Sequence, residues 1–153
     1  MENDNGDNQS FIVDAGRQAG VCLHISSLPG HHGIGDIADS ALDFLDTLNE
    51  MDLGVWQYLP TGPTAYGDSP YQPLSAFAGN DMLLGLNPLV EHGLLFAEDL
   101  EPLESLPADH VDFSRLIPVK RVLLKKAARA FLDQPAHVLR ADYDEFLYHN
   151  AKV

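Results

Sequence analysis

Two short apolar runs flank a longer periodic stretch in the first third of the chain. The runs Gly20 to Ile25 and Gly54 to Leu59 have the length and composition of buried strands. Between them, from Asp36 to about Met51, apolar residues recur at helical spacing, and Asp36 is suited to cap the helix. Strand, helix and strand in this order predict a parallel βαβ unit. The helix residues predicted to be buried are Ile37, Ala41, Phe44, Leu45 and Leu48.

Helical periodicity dominates the second half of the chain. Ser114 to Leu132 predicts the longest helix, and Ala141 to Asn150 begins another. Pro88 to Leu95 predicts a short helix that Gly93 ends, whereas Met82 to Leu86 predicts a short strand or extended segment. The apolar stripe predicted for the longest helix consists of Leu116, Val119, Leu123, Ala127 and Ala130.

The charge of the 153-residue chain, formally −14, is unevenly distributed. No Lys or Arg occurs between Gln18 and Ser114, so this acidic surface would repel nucleic-acid phosphates and anionic membranes. We therefore expect neither nucleic acid nor a membrane as a partner. The later basic residues have helical spacing and are predicted to form a solvated helix face. They are Lys120, Arg121, Lys125, Lys126 and Arg129.

The N-terminal segment, the cysteine content and the lack of a long apolar run predict a cytoplasmic protein. Met1 to Asp14 is acidic and polar, which is typical of a disordered tail and unlike a secretory signal. No apolar run reaches the length needed to span a membrane. Cys22 is the only cysteine, so no intrachain disulfide is possible, and its apolar surroundings predict a small core residue.

A glycine-rich segment after the first predicted strand fits the G-x-G-x-x-A form of a dinucleotide fingerprint through Gly33, Gly35 and Ala38. However, residues 26–32 separate the motif from the strand. Asp36 would also place a negative charge where a pyrophosphate should bind. An ordinary glycine-rich loop is the favoured alternative.

Histidines and serines in the same segment provide metal-ligating and nucleophilic groups. His24, His31 and His32 lack the spacing of a metal motif, and Ser26 and Ser27 lack that of a serine nucleophile. We predict no metal site here, and His24 is interpreted as a hydrogen-bonded core residue.

The segment from Gly62 to Asn80 is polar, aromatic and rich in turn residues, and it directly follows the second predicted strand. Aromatic faces and uncharged hydrogen-bonding groups suit sugar rings and hydroxyls. Trp56 and Tyr58 could contribute further aromatic faces. The alternative is that the tyrosines cap the edge of a core between turns. The candidate substrate-binding residues are Tyr71, Tyr66, Ser69, Asp68 and Gln72.

Four blocks of the sequence, in this order, resemble the N-terminal part of the 4-α-glucanotransferase family, also called amylomaltases or disproportionating enzymes. The resemblance extends from Arg17 to about Phe131, and at its widest to Phe146. The blocks are RQAGVCLHISSLPGHHGIGD, WQYLPTGPTAYGDSPYQPLSAFAGN, LLGLNPLVEHGLL and IPVKRVLLKKAARAF.

This resemblance implies an α/β fold, the N-terminal portion of a (β/α)8 TIM barrel. Residues 1–14 would form a disordered acidic tail. Residues 15–87 would supply the first β-α-β unit of the barrel, with the substrate loop at 60–80. Residues 88–153 would form a mostly helical insertion that is truncated at its C-terminus, so the barrel would be incomplete.

The resemblance also implies roles for single residues. Tyr71 matches a tyrosine beside the donor glucose, and Tyr66 matches an aromatic residue of an additional glucan-binding surface. Ser69, Asp68 and Gln72 belong to the same loop. The family transfers α-1,4-glucan segments between maltooligosaccharides by a retaining double displacement without a cofactor, and its catalytic carboxylates come from later barrel strands.

We nominate no catalytic residue in this chain and expect the 153 residues alone to be inactive. The alternative function is a non-catalytic glucan-binding or interaction module derived from the family. A nucleotide-dependent oxidoreductase is a more distant possibility.

Overall fold

The first three regular elements form the parallel unit predicted from the sequence. The structure, a computed structural model, describes residues 17–64, 67, 69–75 and 77–151. The unit consists of β1 (Gly20–Cys22), α1 (Asp39–Glu50) and β2 (Val55–Gln57). The strands pair in parallel, with Gly20 opposite Val55 and Cys22 opposite Gln57, which confirms the predicted order and direction. The proposed tail, Met1 to Asp14, lies outside the described residues.

The remaining regular elements of the described chain are helices and short 3₁₀ turns. The helices are α2 (Asn87–Glu91), α3 (Glu101–Glu104), α4 (Phe113–Leu132) and α5 (Arg140–Asn150). The turns are Ile25–Ser27, Asp81–Leu83 and Ala97–Leu100.

Several element boundaries differ from the predicted ones. α2 ends before the predicted Leu95, because Gly93 adopts a φ of +69°, a left-handed conformation that terminates helices. Of the strand or extended segment predicted from Met82 to Leu86, the strand is wrong, since Asn80 caps a 3₁₀ turn there by accepting a hydrogen bond from the Met82 amide. Leu84, after the turn, has extended backbone angles. The first strand also ends earlier than predicted, because the chain turns at Ile25.

Helix α1 contacts the sheet through Trp56. The indole Nε1 donates to the carbonyl oxygen of Leu23 at 2.8 Å, and Phe44 packs edge-on against the indole with ring centroids 5.0 Å apart. Val21 and Trp56 are partly buried, whereas their strand neighbours are exposed. One face of the two-stranded sheet is therefore covered and the other is open. The residues on the open face are Gly20, Cys22, Val55 and Gln57.

Three residues of this unit that were predicted to be buried are exposed. Cys22 is exposed because it lies on the open face of the sheet. Ile37 and Leu45 are also exposed, since a sheet of two strands covers only part of the apolar surface near α1. Ala41 and Leu48 are buried as predicted.

The main core lies between α4 and the segments that follow β1 and β2. The predicted stripe of α4 is confirmed, because Leu116, Leu123 and Ala127 are buried and Val119 and Ala130 pack against the core from partly buried positions. The other buried members of this core are Ile25, Leu28, Ile34, Ala41, Met82, Leu83, Leu86, Leu94, Leu95, Leu100 and Leu103.

Lys120 lies inside this core, not on a solvated helix face as predicted. Its residue exposure is 1%, and Nζ donates to the carbonyl oxygen of Met82 at 2.8 Å. Burial lowers the pKa of Lys120 to about 8, although the nearby carboxylates of Asp36 and Asp81 act in the opposite direction. Lys120 is four residues after Leu116 and three before Leu123, so it lies on the buried stripe of α4.

Truncation of Leu116 tests whether α4 completes the core. Leu116 has 0% exposure, so Leu116→Ala should lower the free energy of unfolding by about 2–5 kcal/mol through lost burial and a residual cavity. The measurement is urea unfolding followed by circular dichroism. Val122→Ala, at an exposed position of the same helix, should change the free energy of unfolding by less than about 0.5 kcal/mol. Equal effects of the two substitutions would contradict this core.

Lys120 should also make stability depend on alkaline pH. Its pKa is about 8 in the folded chain against an ordinary 10.5, so the unfolded chain binds this proton more tightly. The resulting penalty of about 3 kcal/mol is present below pH 8 and disappears as the pH rises toward 10.5. The unfolding free energy of Lys120→Met should therefore lack the rise that the wild type shows over this range. Lys125→Met, at an exposed position, should retain it. A wild-type slope in Lys120→Met would refute the assignment.

Candidate functional site

Residues 60–80, which we name the tyrosine loop, leave the carboxyl end of β2 and fold back on themselves. The Asn80 amide donates to the Thr61 carbonyl at 2.8 Å and closes the base of the loop. Farther out, the Leu74 amide donates to the Pro63 carbonyl at 2.8 Å, and Thr64 forms an antiparallel bridge with Pro73. The loop therefore has two paired arms, and the described residues 67 and 69–72 lie at its tip.

The tip carries the described members of the predicted site. The side chain of Tyr71 is on the surface, since the residue is 68% exposed, and Gln72 beside it is also exposed. The Gln72 amide donates to the carbonyl oxygen of Ser69 at 3.2 Å, so these three residues lie in one turn. Tyr66 and Asp68 lie outside the described residues.

A groove of about 340 Å³ runs beside the arms of the tyrosine loop. Phe77 lines it and is 87% exposed, and Leu74 on the same arm is also exposed. The Ser75 hydroxyl accepts hydrogen bonds from the amides of Phe77 and Ala78, both at 3.2 Å, which fixes this arm. Sequence reasoning missed Phe77 and Leu74. Large apolar residues in a Pro- and Gly-rich segment without helical or strand periodicity were the available signal.

The two aromatic residues of the second strand region differ in their availability. Trp56 packs against the core and binds Leu23, so it does not offer a free face, contrary to prediction. Tyr58 is exposed, and its ring centroid lies 5.8 Å from that of Trp56. Of this pair, only Tyr58 could contact a ligand.

A cavity of about 110 Å³ lies beneath the tip, where the segment after β1 meets the tyrosine loop. His24 and Ser26 come from the first segment, and Thr64, Pro70 and Asn80 come from the second. Burial lowers the pKa of His24, so its imidazole is neutral at pH 7. Imidazole, hydroxyl and amide groups line the cavity, and such groups hydrogen-bond uncharged polar ligands.

The glycine-rich segment serves a structural role. The Asp36 carboxylate accepts hydrogen bonds from the amides of Ala38 at 2.9 Å and Ser40 at 3.2 Å. It thus occupies the amides at the start of α1 that a phosphate would need, although the helix begins at Asp39 and not at Asp36 as predicted. A Cβ on Gly35 would lie 2.1 Å from the Ile25 carbonyl oxygen, so this glycine permits close backbone packing. These contacts favour the ordinary glycine-rich loop over a dinucleotide site.

Two further functional classes receive no support from the described part of the chain. Within residues 17–64, 67, 69–75 and 77–151, no group of three or more His, Cys, Asp or Glu side chains could hold a metal ion. His31 is exposed and His32 is buried, so the two neighbours face different surroundings. None of the helices in those ranges has the length and hydropathy to cross a membrane.

Comparisons with known proteins agree on one family. The family model for 4-alpha-glucanotransferase matches residues 23–153. The 4-alpha-glucanotransferase of Streptococcus pneumoniae serotype 4 is 50% identical over 118 residues, which are 76% of this chain and 23% of that protein. The Thermus thermophilus 4-alpha-glucanotransferase is 43% identical over 130 residues, or 85% of this chain and 25% of that protein.

A solved structure also resembles the chain. The amylomaltase from Streptococcus agalactiae in complex with acarbose matches with a TM-score of 0.79 and 36% identity, covering 89% of this chain and 27% of that one. The chain spans about a quarter of the length of these relatives. Because the family model covers every residue after β1, and the fold agrees with that of an amylomaltase, the chain belongs to the 4-alpha-glucanotransferase family.

Proposed function

We propose that the tyrosine loop is the donor-side wall of a glucan-binding cleft in a 4-α-glucanotransferase. The observation that carries this proposal is the exposed ring of Tyr71 at the tip of a loop that follows a parallel strand. Loops at the carboxyl ends of parallel strands are where ligands bind in α/β folds. The full activity would be transfer of α-1,4-glucan segments between maltooligosaccharides.

The chemistry of the loop supports a sugar ligand over a charged one. Tyr71 would lie against the donor glucose ring, while Ser69 and Gln72 at the same turn would hydrogen-bond its hydroxyls. Tyr66 and Asp68 are proposed to join them. The absence of Lys and Arg from residues 18–114 leaves no fixed cation in this part of the sequence to attract an anion. The similar S. agalactiae amylomaltase, which was solved in complex with acarbose, supports a saccharide ligand here.

The architecture would be the beginning of a (β/α)8 barrel. β1, α1 and β2 would be its first β-α-β unit, within residues 15–87, and the open face of the sheet would look into the barrel. Residues 88–153 would be a helical insertion. Parallel pairing in register and the TM-score of 0.79 to an amylomaltase support this arrangement. We further propose that the protein is cytoplasmic.

The reaction would be a retaining double displacement that needs no metal or organic cofactor. It requires two carboxyl groups about 5 Å apart across the scissile bond. We assign neither to a residue of this chain, so the role proposed for these 153 residues is binding and orienting the donor glucan. Orientation of the reacting bond accounts for a large part of enzymatic rate enhancement.

Removal of the Tyr71 ring tests the proposed site. Tyr71→Ala should weaken maltoheptaose binding by about tenfold or more, because a stacking surface for the sugar is lost. The measurement is titration calorimetry of the 153-residue chain. Tyr148→Ala, which removes an exposed tyrosine from α5, should leave the affinity unchanged. Wild-type protein that fails to bind maltoheptaose would refute the proposal.

This chain should bind maltooligosaccharides without catalysing glucan transfer. We expect no glucose release when the purified 153-residue protein is incubated with maltotriose, because the catalytic carboxylates are not assigned to it. Chromatographic detection of glucose and longer maltooligosaccharides is the measurement. Their accumulation would contradict the assignment of a binding role alone.

A further inference from the structure

The buried ammonium of Lys120 reaches the exit of the tyrosine loop. Nζ donates to the Met82 carbonyl at 2.8 Å, and the two residues are 38 positions apart in the sequence. Met82 lies two residues beyond the end of the loop, in the 3₁₀ turn Asp81–Leu83. Through this bond, α4 contacts the place where the loop rejoins the core.

The Met82 peptide is linked in turn to the base of the loop. The Met82 amide donates to the Asn80 side-chain oxygen at 3.0 Å, and the Asn80 amide donates to the Thr61 carbonyl at 2.8 Å. Asn80 therefore connects the turn that Lys120 holds with the opposite arm of the loop. The path from Lys120 to Thr61 consists of three consecutive hydrogen bonds and the residues between them.

The same turn also holds the segment that precedes α1. The Ile37 amide donates to the Leu83 carbonyl at 2.9 Å. The charged and titratable groups near Lys120 come from both segments. Burial lowers the pKa of Lys120, and the carboxylates of Asp36 and Asp81 oppose that shift. Burial also lowers the pKa of His32, and the charge of Lys120 adds to this effect. The ammonium group of Lys120 thus lies where three parts of the chain meet. They are the base of the tyrosine loop, the segment before α1, and α4.

Burial of the charged Lys120 side chain is unfavourable unless the hydrogen bond that it makes offsets the desolvation penalty. Lys120 is 1% exposed, and an apolar side chain of similar length would avoid the desolvation penalty. A charged donor, however, makes a hydrogen bond about twice as strong as a neutral one. The Met82 carbonyl is therefore held more firmly than packing alone would hold it.

We propose that Lys120 is the positioning residue of the tyrosine loop. Its ammonium fixes the Met82 carbonyl and, through Asn80, sets the separation of the two arms that present Tyr71. The part of this inference that concerns glucan rests on the proposed function. The part that concerns the geometry of the loop does not.

Hydrogen exchange in the absence of any ligand tests the geometric part. In Lys120→Met, exchange of the Asn80 and Met82 amides should accelerate by about fivefold at pH 7, while global urea stability should not fall. A residue with only a structural role would instead lower stability and accelerate exchange throughout the core. Lys125→Met is the matched control and should change neither quantity. Unchanged exchange at Asn80 and Met82, or uniform acceleration in the core, would overturn the proposal.

A titration of the wild type provides the same test without a substitution. As the pH rises through about 8, Lys120 loses its proton and its hydrogen bond weakens. After correction for the intrinsic pH dependence of exchange, protection of Asn80 and Met82 should fall over this range, while that of Leu123 in α4 should not. Constant protection at all three amides would contradict the inference.

Maltoheptaose affinity tests the remaining part. If the wild type binds, Lys120→Met should weaken binding by about fivefold and Lys125→Met should not. Unchanged affinity of Lys120→Met would overturn the positioning role. If the wild type does not bind, the proposed function fails, and the exchange measurements alone decide the role of Lys120.

Discussion

Parallel pairing of β1 with β2 is the constraint from which the arrangement of the site follows. Two parallel strands need a crossover, and α1 provides it on one face of the sheet. Both strands then end at the same edge, so the segments that follow them must meet there. The cavity lined by His24 and Thr64 is where they do meet. The location of the site is therefore determined by the parallel direction of the two strands, and no single side chain is needed to explain it.

The second organising interaction joins an acidic segment of the chain to a basic helix. Lys126 of α4 pairs with Asp99, and Arg115 at its start donates to the Ser105 carbonyl at 3.0 Å. These two contacts are at least partly exposed, and such contacts stabilise folded proteins only weakly. Lys120 lies between them in sequence and is buried. The helix thus contacts the acidic segment through the exposed cations of Arg115 and Lys126, and it contacts the core through the buried cation of Lys120 between them.

Local periodicity predicted most elements, because it depends on residues that are close in sequence. The boundaries of α4 and its stripe through Leu116 were predicted almost to the residue. The location of Lys120 was not, since charge alone indicates solvent and only the long-range contact with Met82 shows burial. Cys22 was misjudged because apolar surroundings in sequence do not reveal which face of a two-stranded sheet is covered. Which face of a strand is covered by other elements depends on the whole fold, so it cannot be read from a short stretch of sequence.

The candidate site shows the same division. The chemistry of the tip was available from composition, and the structure brings Ser69, Tyr71 and Gln72 into one turn. The role of Trp56 as a link between β2 and Leu23 could not be predicted from the sequence, because an indole is equally suited to contact a ligand or to pack in a core. Phe77 was overlooked because Ser75, Gly79 and Asn80, which lie close to it in sequence, are typical turn residues.

The open face of the sheet has a practical consequence for observing this protein. Cys22 is the only thiol in the sequence, it is exposed, and it lies on that face. Any thiol-specific dye or spin label would therefore attach at one known position, beside the strand edge. Any protein segment that covers the open face of the sheet would slow that labelling. The labelling rate of Cys22 therefore reports whether this face is covered.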